Sequence, residues 1–351
     1  MTVGLAEQQV SNQPYYRELE VQLRAEIPDL DHRLEMIGLN PSELEGVLAA
    51  LINGDIGQLR GYAQSANLKL ESRLNEPENL ALQTLKSEWE SLEKSQSPEA
   101  EFRRKIHEEI IAEELDQVEE ALRKHSSKPS AVEIKKSLTF VAGLPGAGKT
   151  THFNEAMSML YAERILLVDV DRLREKLWKK LQDSYVGSEH KSAITLLGDY
   201  DETNYDHVMA LQAEAARLAK ELALRGLSSR FHFPVMYVGT LRNEGKAREL
   251  INAAKVEVDV IVSVVHMFIH LVDCFKRILQ RDRLVDLDTL LEALGTYDTL
   301  RSLVASRSVD VVDLNEIGAV GISTKRGYPI DDIDDIIAHI DNLRNKYDIR
   351  S

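Results

Sequence analysis

The feature that most constrains this 351-residue chain is the segment GLPGAGKT at residues 143–150, which matches the pattern G-x-x-x-x-G-K-[ST] without a gap. Glycines at these positions let the backbone curl so that successive N–H groups converge on phosphate oxygens, and a following helix adds the positive end of its dipole. In this pattern the lysine reaches the β- and γ-phosphates of a nucleotide, and the threonine hydroxyl ligates Mg²⁺. Lys149 and Thr150 occupy these two places.

The sequence on either side of the segment supports the same interpretation. Residues 138–142 have the composition of the strand that should precede such a loop, and residues 151–160 have the pattern of the helix that should follow it. Four fixed positions match by chance in on the order of one chain in a hundred of this length. We therefore predict an ATP site formed by Gly143, Pro145, Gly146, Ala147, Gly148, Lys149, Thr150 and Thr151, with Mg²⁺ as the metal.

The chain divides into two regions with different patterns. Short β-branched runs alternate with helical patterns from Lys135 onward, at residues 137–142, 164–168, 231–238, 256–265 and 309–314. This alternation predicts an α/β fold in which helices cover a parallel sheet of the P-loop kinase type. Residues 1–134 show helical stripes without strand alternation, so we predict an all-α N-terminal domain over 1–134 and a kinase domain over 135–351, with a linker near 125–130.

Charge and composition exclude several classes of partner. The chain has 43 basic and 58 acidic residues, a net charge of −15, which opposes binding to a nucleic-acid backbone. The longest apolar stretch, residues 256–275, contains charged and histidine side chains, and the first seventeen residues have no secretory pattern. The single cysteine, Cys274, fits a reducing compartment. We expect a cytoplasmic protein without a membrane or nucleic-acid partner.

The N-terminal region carries most of the negative charge, since residues 1–130 hold 25 acidic and 14 basic side chains. An acidic helical surface is commonly no more than a solvated face. The alternative is that these helices dock on a partner protein or on the C-terminal domain of the same chain.

Two carboxylates follow the second predicted strand. Residues 165–168 are apolar, and Asp169 and Asp171 come directly after them, before a helical pattern. In a parallel sheet this strand end lies at the same edge as the phosphate loop. Either carboxylate could deprotonate an acceptor hydroxyl or organise the Mg²⁺ shell, and both would lie on one side if the strand continued through them. The alternative for Asp171 is that it merely caps the next helix.

Other nucleotide-binding classes match the sequence poorly. Residues 345–348, Asn-Lys-Tyr-Asp, imitate a guanine-reading motif, but they follow a helical pattern rather than a strand, and no D-x-x-G segment lies before them. No apolar strand ends in Asp-Glu, as a mechanical ATPase would require.

The sequence resembles the zeta-toxin branch of P-loop kinases, which is related to chloramphenicol phosphotransferase and polynucleotide kinase. The likeness rests on four features in order, which are the phosphate loop, the segment Val-Asp-Val-Asp at 168–171, the turn Gly-Thr-Leu-Arg at 239–242, and the strand over 258–265 leading into an arginine-bearing helix. The chain departs from the family at Tyr237 and Val238, where a glutamate is usual before the turn, and at His266, where proline is common. We interpret His266 as a core residue.

The resemblance implies roles for several residues. Asp171 would be the base for the acceptor hydroxyl, and Thr240 and Arg242 would line the acceptor pocket together with Asp169. Arg277, with Arg281 or Arg283, would clamp the transferring phosphoryl group. The spacing itself predicts that Arg277 and Arg281 lie one turn apart on a helix, with surface ion pairs to Asp282 or Asp286 as the alternative.

Together these patterns predict an ATP- and Mg²⁺-dependent kinase that phosphorylates a hydroxyl of a small molecule, with Lys149, Asp171, Arg277 and Arg281 as the catalytic residues. The resemblance implies a nucleotide-sugar such as UDP-N-acetylglucosamine as the acceptor, and a helical antitoxin-like partner. The N-terminal helices could supply that inhibition within the chain by shielding the phosphate loop. A polynucleotide 5′-hydroxyl kinase, a nucleoside or nucleotide kinase, and a non-catalytic nucleotide sensor remain the alternatives.

Overall fold

The computed structural model describes residues 13–74, 80–92, 95–126, 136–149, 165–185, 194, 199–201, 204–228, 233–256, 260–281, 285–318, 321–329 and 333–346. The helix predicted over 151–160, the domain boundary at 134/135, and the site residues Thr150, Thr151 and Arg283 lie outside these ranges.

The described part of the N-terminal region consists of helices joined by short turns and contains no strand. It comprises α1 (Gln13–Glu26), α2 (Leu30–Met36), a 3-10 turn at Pro41–Glu43, α3 (Leu44–Asn53), α4 (Ile56–Leu74), α5 (Leu80–Leu92) and α6 (Pro98–Ser126). A capping box starts the 3-10 turn, because Asn40 accepts a bond from the Ser42 N–H and Glu43 accepts one from the Asn40 N–H. Gly54 ends α3 in the left-handed conformation.

The C-terminal region contains a six-stranded sheet. Its strands are β1 (Ser137–Gly143), β2 (Leu166–Asp169), β3 (Val235–Val238), β4 (Ile261–Phe268), β5 (Val311–Gly318) and β6 (Gly321–Pro329), in the spatial order β2-β3-β1-β4-β5-β6. The first five in that order are mutually parallel, and β6 is antiparallel to β5. The predicted α/β fold of the P-loop kinase type is confirmed.

Several strand predictions need correction, including those over 231–238 and 309–314, which become β3 from Val235 and β5 from Val311 to Gly318. β4 begins at Ile261 rather than 256, because the preceding helix continues through Lys255 and the Val256 that follows it is 83% exposed. β6 was not predicted, because its residues GISTKRGYP include glycine, proline and two basic side chains. Such a composition is tolerated at a sheet edge, where one side of the strand needs no partner.

Helices follow or precede each strand of the sheet. They are α7 (Val170–Tyr185), α8 (Tyr205–Ala210), α9 (Gln212–Ser228), α10 (Glu244–Lys255), α11 (Leu271–Gln280), α12 (Leu287–Glu292), α13 (Gly295–Ala305) and α14 (Ile333–Lys346). α9 packs on β2 and β3, and α10 packs on β1. No helix in the described part of the chain is long and apolar enough to cross a membrane.

The N-terminal helices pack directly on the α/β region. α6 lies against α7 and α9, α4 against α12, and α2 and α3 against α11. The buried apolar side chains of both regions form one continuous cluster. A fully buried ion pair crosses the α6–α9 contact, where Arg103 Nε donates to Glu214 Oε1 at 3.1 Å and His107 Nε2 lies 2.8 Å from the same oxygen.

Candidate active site

The phosphate loop has the curled backbone that its glycines predict. Gly146 has a φ of 81°, and a Cβ atom at this position would lie 2.8 Å from the carbonyl oxygen of Cys274 in α11. Gly143 has a φ of 147°, and its Cβ atom would lie 2.8 Å from the Met267 carbonyl oxygen at the end of β4. Side chains would therefore be excluded at both positions, by backbone conformation and by space.

Lys149 lies folded over its own loop. Its Nζ donates to the carbonyl oxygens of Gly143 at 3.0 Å and Leu144 at 2.9 Å. These bonds hold the ammonium group beside the curled backbone of the loop. In this position, the lysine and the N–H groups of the loop can bind the same anion. The loop is a cradle of the shape and charge that a nucleotide's phosphates require.

The two carboxylates after β2 have different local roles. The strand ends at Asp169 and α7 begins at Val170, so the strand does not continue through Asp171. The Asp169 Oδ1 accepts the Asp171 N–H at 2.9 Å, which is the bond that starts the helix. It is therefore Asp169, rather than Asp171, whose carboxylate bonds to the helix N-terminus.

Asp171 lies in the first turn of α7, beside a buried arginine. Arg174 Nη2 donates to Asp171 Oδ1 at 3.1 Å, and the Arg174 side chain is fully buried while that of Asp171 is 49% exposed. The arginine fixes the orientation of the carboxylate. A carboxylate held in this way can receive a proton from a bound hydroxyl.

The two arginines near the loop come from α11 and its end. Arg277 packs against the loop, because its Cβ lies 3.5 Å from the Cβ position of Gly146 and its Nη1 lies 3.8 Å from that of Gly148. Arg281 is not one turn along the same helix, as predicted, because α11 ends at Gln280 and Arg281 adopts an extended conformation with ψ of 155°. Partial desolvation, and then the charge of Arg277, lower the pKa of Arg281.

The turn after β3 forms the next part of the wall. The Thr240 carbonyl accepts a bond from the Thr296 hydroxyl, and the Arg242 guanidinium pairs with Glu292. Leu241, between them, has a φ of 56°, which is unusual for a residue other than glycine. Such strained conformations are concentrated at functional sites, where the surrounding contacts maintain them.

One cavity of about 410 Å³ collects most of the predicted site residues. Its lining includes Pro145, Gly146, Gly148, Lys149, Asp169, Asp171, Thr240, Arg242 and Arg281. Gly143, Ala147 and Arg277 do not line it; Ala147 is fully buried beneath the loop. No described residue from the N-terminal helices lines the cavity.

Two further lining residues were not predicted as site residues. Tyr237 of β3 is 8% exposed, and its hydroxyl has no hydrogen-bond partner among the described residues. Lys246 of α10 places its Nζ 4.9 Å from the centre of the Tyr237 ring and donates to the Ala216 carbonyl oxygen at 3.2 Å. Burial, and then the charge of Lys220, lower the pKa of Lys246 to about 8. Of these two residues, only Tyr237 stood out in the sequence, as a departure from the family pattern before the turn.

His266 behaves as predicted for a core residue. It is fully buried, with its ring 4.5 Å from that of Phe268 and 5.1 Å from that of Tyr297. Burial, and then the charge of Lys149, lower its pKa to about 3, so the imidazole is neutral. It does not line the cavity.

The N-terminal helices reach the helix that carries Arg277 from its outer side. Arg33 Nη1 donates to the Leu279 carbonyl oxygen at 3.2 Å and also to the Arg281 carbonyl oxygen. Glu26 pairs with Lys276 at 3.0 Å and accepts a bond from Gln280. The N-terminal region thus holds the C-terminal end of α11.

No protein-family model matches the chain, and no curated protein does. Among solved structures, the chain is similar to one described as the PezAT chromosomal toxin–antitoxin system of Streptococcus pneumoniae, with 14% identity, a TM-score of 0.39, and coverage of 67% of this chain and 94% of the other.

The chain is also similar to two structures of the complex named AvrRxo1-ORF1:AvrRxo1-ORF2. The one with ATP has 15% identity, a TM-score of 0.44, and coverage of 68% of this chain and 72% of the other. The one with sulphate ions has 16% identity, a TM-score of 0.45, and coverage of 76% and 77%. We transfer no residue role from likenesses at this level.

Proposed function

We propose that this chain is an ATP-dependent phosphotransferase that phosphorylates a hydroxyl group of a small molecule. One observation carries the proposal, namely that Lys149 of the phosphate loop and the carboxylate of Asp171 line the same cavity. A phosphate cradle alone would describe any nucleotide-binding protein. A carboxylate beside it, oriented by Arg174, adds the group that a hydroxyl acceptor needs.

In the proposed reaction, the loop N–H groups and Lys149 bind the phosphates of ATP, and Lys149 exchanges its bonds to the Gly143 and Leu144 carbonyls for bonds to phosphate oxygens. Asp171 orients the acceptor hydroxyl and takes its proton as the oxygen attacks the γ-phosphorus, and the bond from that phosphorus to the β–γ bridging oxygen breaks. Arg277 and Arg281 supply positive charge near the transferred group.

The donor set also fits Mg²⁺, which would neutralise charge on the phosphates. The Asp169 carboxylate at the cavity wall, together with Thr150, would hold it. Because Asp169 also caps α7, its position is fixed before any metal binds.

Full-length protein with γ-labelled ATP, Mg²⁺ and a metabolite extract tests the proposal. We expect transfer of label and a mass gain of one phosphate on one metabolite class, with UDP-N-acetylglucosamine as the first pure acceptor to try. A label found on polynucleotide 5′ ends would contradict the small-molecule acceptor. Nucleotide binding without any transfer would contradict the enzymatic role altogether.

The first prediction concerns Asp171. Asp171→Asn removes the proton acceptor and should lower turnover by about 10²–10⁴-fold while ATP affinity stays within a few-fold of the wild type. Lys149→Ala should instead weaken ATP binding itself. Asp183→Asn, the same change on the exposed side of the same helix, is the matched control. An Asp171→Asn variant with wild-type turnover would exclude this residue as the base.

We also propose, from the sequence resemblance, that such an activity is restrained by an antitoxin-like partner.

A further inference from the structure

We infer that Glu114 of α6 is a positioning residue for Asp171, so that the N-terminal region completes the proposed catalytic site without lining its cavity. The inference rests on the proposed function for the role of Asp171 as the proton acceptor. The contact itself can be tested without any phosphate transfer.

The first support is the burial of Glu114 between two cations of α7. The Glu114 side chain is 6% exposed, its Oε1 accepts a bond from Lys176 Nζ at 3.0 Å, and its Oε2 accepts one from Arg172 Nη2. Arg172 and Lys176 are four residues apart, so they lie one turn apart on the same side of the helix. One buried carboxylate from the N-terminal region therefore holds the first two turns of α7.

The second support is that this end of α7 forms the corner with β2 that carries Asp171. Arg172 directly follows Asp171 and also donates to the Leu167 carbonyl oxygen of β2 at 3.3 Å. Its guanidinium group thereby links Glu114 to the strand. The Asp169 carboxylate, at the end of the same strand, accepts the Asp171 N–H. The corner is thus held by its own strand and by a side chain from the other region of the chain.

The third support is that Asp171 depends on the place of this corner as well as on its own hydrogen bond. Arg174 donates from Nη2 to Asp171 and to Gln212 of α9, which orients the carboxylate. The carboxylate can be no better placed, however, than the helical turn that carries it. A displacement of about 1 Å at a reacting group can lower a rate by about 10²-fold.

The neighbouring acid on α6 lacks these properties. Glu113 is 40% exposed and pairs with Lys176 at 2.9 Å and with Lys180, in the second and third turns of α7. Exposed ion pairs contribute little to stability, because water already solvates both charges. Glu114 is buried and reaches the first turn, so it is the acid that bears on Asp171.

Hydrogen–deuterium exchange of the full-length protein, measured by mass spectrometry of peptides, tests the contact. The variant is Glu114→Gln. Glu108→Gln is the matched control, because Glu108 bonds from the same helix to Arg225 of α9 instead of α7. A peptide over residues 166–176 reports on the corner, and a peptide over β4 reports on overall unfolding.

We expect residues 166–176 to exchange at least threefold faster in Glu114→Gln than in the wild type, because the first turn of α7 opens more often without its ion pairs. β4 should exchange at the wild-type rate, and Glu108→Gln should change neither peptide. Equal exchange at 166–176 in all three proteins would overturn the inference, and so would an equal acceleration at β4. Arg172→Gln removes the same bond from the exposed side and should give the same result if Glu114→Gln does not fold.

Transfer of label from γ-labelled ATP to the metabolite extract then tests whether the contact serves Asp171. Glu114→Gln should lower turnover at least fivefold while ATP affinity stays within twofold of the wild type. In an Asp171→Asn background the same change should lower the residual rate less than twofold, because a residue that acts through Asp171 then has nothing to position. A fall by the same factor in both backgrounds would indicate a purely structural role and would overturn the inference.

The two measurements separate this inference from the proposed function. Faster exchange at the corner without any phosphate transfer by the wild type would keep the contact and remove the kinase. Phosphate transfer that Glu114→Gln leaves at the wild-type rate would keep the kinase and remove the positioning role.

Discussion

At the scale of single residues, the phosphate loop depends on the absence of one side chain. Gly146 faces the Cys274 carbonyl across a gap that leaves no room for a Cβ atom, and its φ of 81° is strained for any other residue. The pattern G-x-x-x-x-G-K-[ST] leaves this position open, although a glycine here helps the backbone to curl around a phosphate. The structure adds a second reason, which is the close approach of α11.

Gly146→Ala should therefore destabilise both the loop and its contact with α11. We expect the free energy of unfolding to fall by about 1–3 kcal/mol and ATP affinity to fall at least tenfold. Chemical denaturation and nucleotide titration measure the two effects. Gly61→Ala in α4, where a Cβ atom would meet nothing within 4 Å, is the control and should be neutral or stabilising by up to about 1 kcal/mol. Equal behaviour of the two variants would contradict this account of the loop.

Site residues that belong to a sequence pattern could be predicted. Residues that meet only because the chain folds could not. Lys149 belongs to the phosphate loop and Asp171 follows the second strand, an order that can be recognised in the sequence, and the structure brings both to one cavity. Lys246 meets Tyr237 only because α10 folds back against the sheet, so no spacing along the chain indicates the contact. Arg281 was placed on a helix because nothing in the sequence showed that α11 stops one residue earlier.

At the scale of elements, α11 is the part that both regions of the chain touch. Its inner side contacts the phosphate loop through Cys274 and Arg277, and its C-terminal end is bound by Arg33 and Glu26. Arg33 supplies charged donors to carbonyl groups that the end of a helix leaves without partners. These contacts hold the end of α11, and no described residue of the N-terminal helices lines the cavity.

Arg33→Ala should free the end of α11 and, with it, Arg281. We expect turnover to fall severalfold with ATP affinity unchanged, and the free energy of unfolding to fall by about 1–3 kcal/mol, because hydrogen bonds from a charged donor are lost. Steady-state kinetics on the full chain separates the two parameters. Arg24→Ala, whose partners Glu20 and Asp31 both lie within the N-terminal helices, is the control. A rise in turnover would instead support the inhibitory role predicted from the sequence.

Element types were easier to predict than element limits. The long apolar stretch after 256 becomes a strand and then a helix, β4 and α11, as its interrupted pattern indicates. The strand starts five residues later than predicted, and α10 continues as far as Lys255. β6 was not predicted because it contains residues that would weaken a central strand. An edge strand tolerates such residues, and β6 forms by pairing with β5.

At the scale of the whole molecule, the two regions share one interior. Glu214 and Arg103 are both fully buried where α6 crosses α9, and His107 shares a carboxylate oxygen with the arginine. Burial alone would raise the pKa of Glu214, but the Arg103 charge and the bonds from both partners hold it below its ordinary value of 4.5. This buried ion pair joins the two regions through residues more than a hundred positions apart in the sequence.

Arg103→Met should leave a buried carboxylate without its main partner and cost about 3–5 kcal/mol of unfolding free energy. Denaturation of the full chain, followed by fluorescence and circular dichroism, should show one transition shifted as a whole. Adding Glu214→Leu should recover most of the loss, since an apolar pair of similar volume needs no counter-charge. Two separate transitions, with only one shifted, would contradict a shared interior.

The same pair sets a pH dependence. Because the folded state depresses the pKa of Glu214, its stabilising contribution is complete above pH of about 4.5 and is lost as the pH falls through the lower folded value. The Arg103→Met variant should therefore lose less stability than the wild type between pH 5 and the acid limit of folding. If the stabilities of the two proteins fell in parallel with pH, the pH dependence would not come from the Arg103–Glu214 pair.

The contact between Gly146 and Cys274 joins the main chain of the loop to the main chain of α11, with no side chain between them to yield. If the loop shifts in the proposed nucleotide complex, the shift would act on α11, whose far end is bound by Arg33 and Glu26. An occupied cavity would thus affect the acidic N-terminal surface through packed backbone segments, without a hinge motion. A binding partner on that surface could distinguish loaded from empty protein without approaching the cavity.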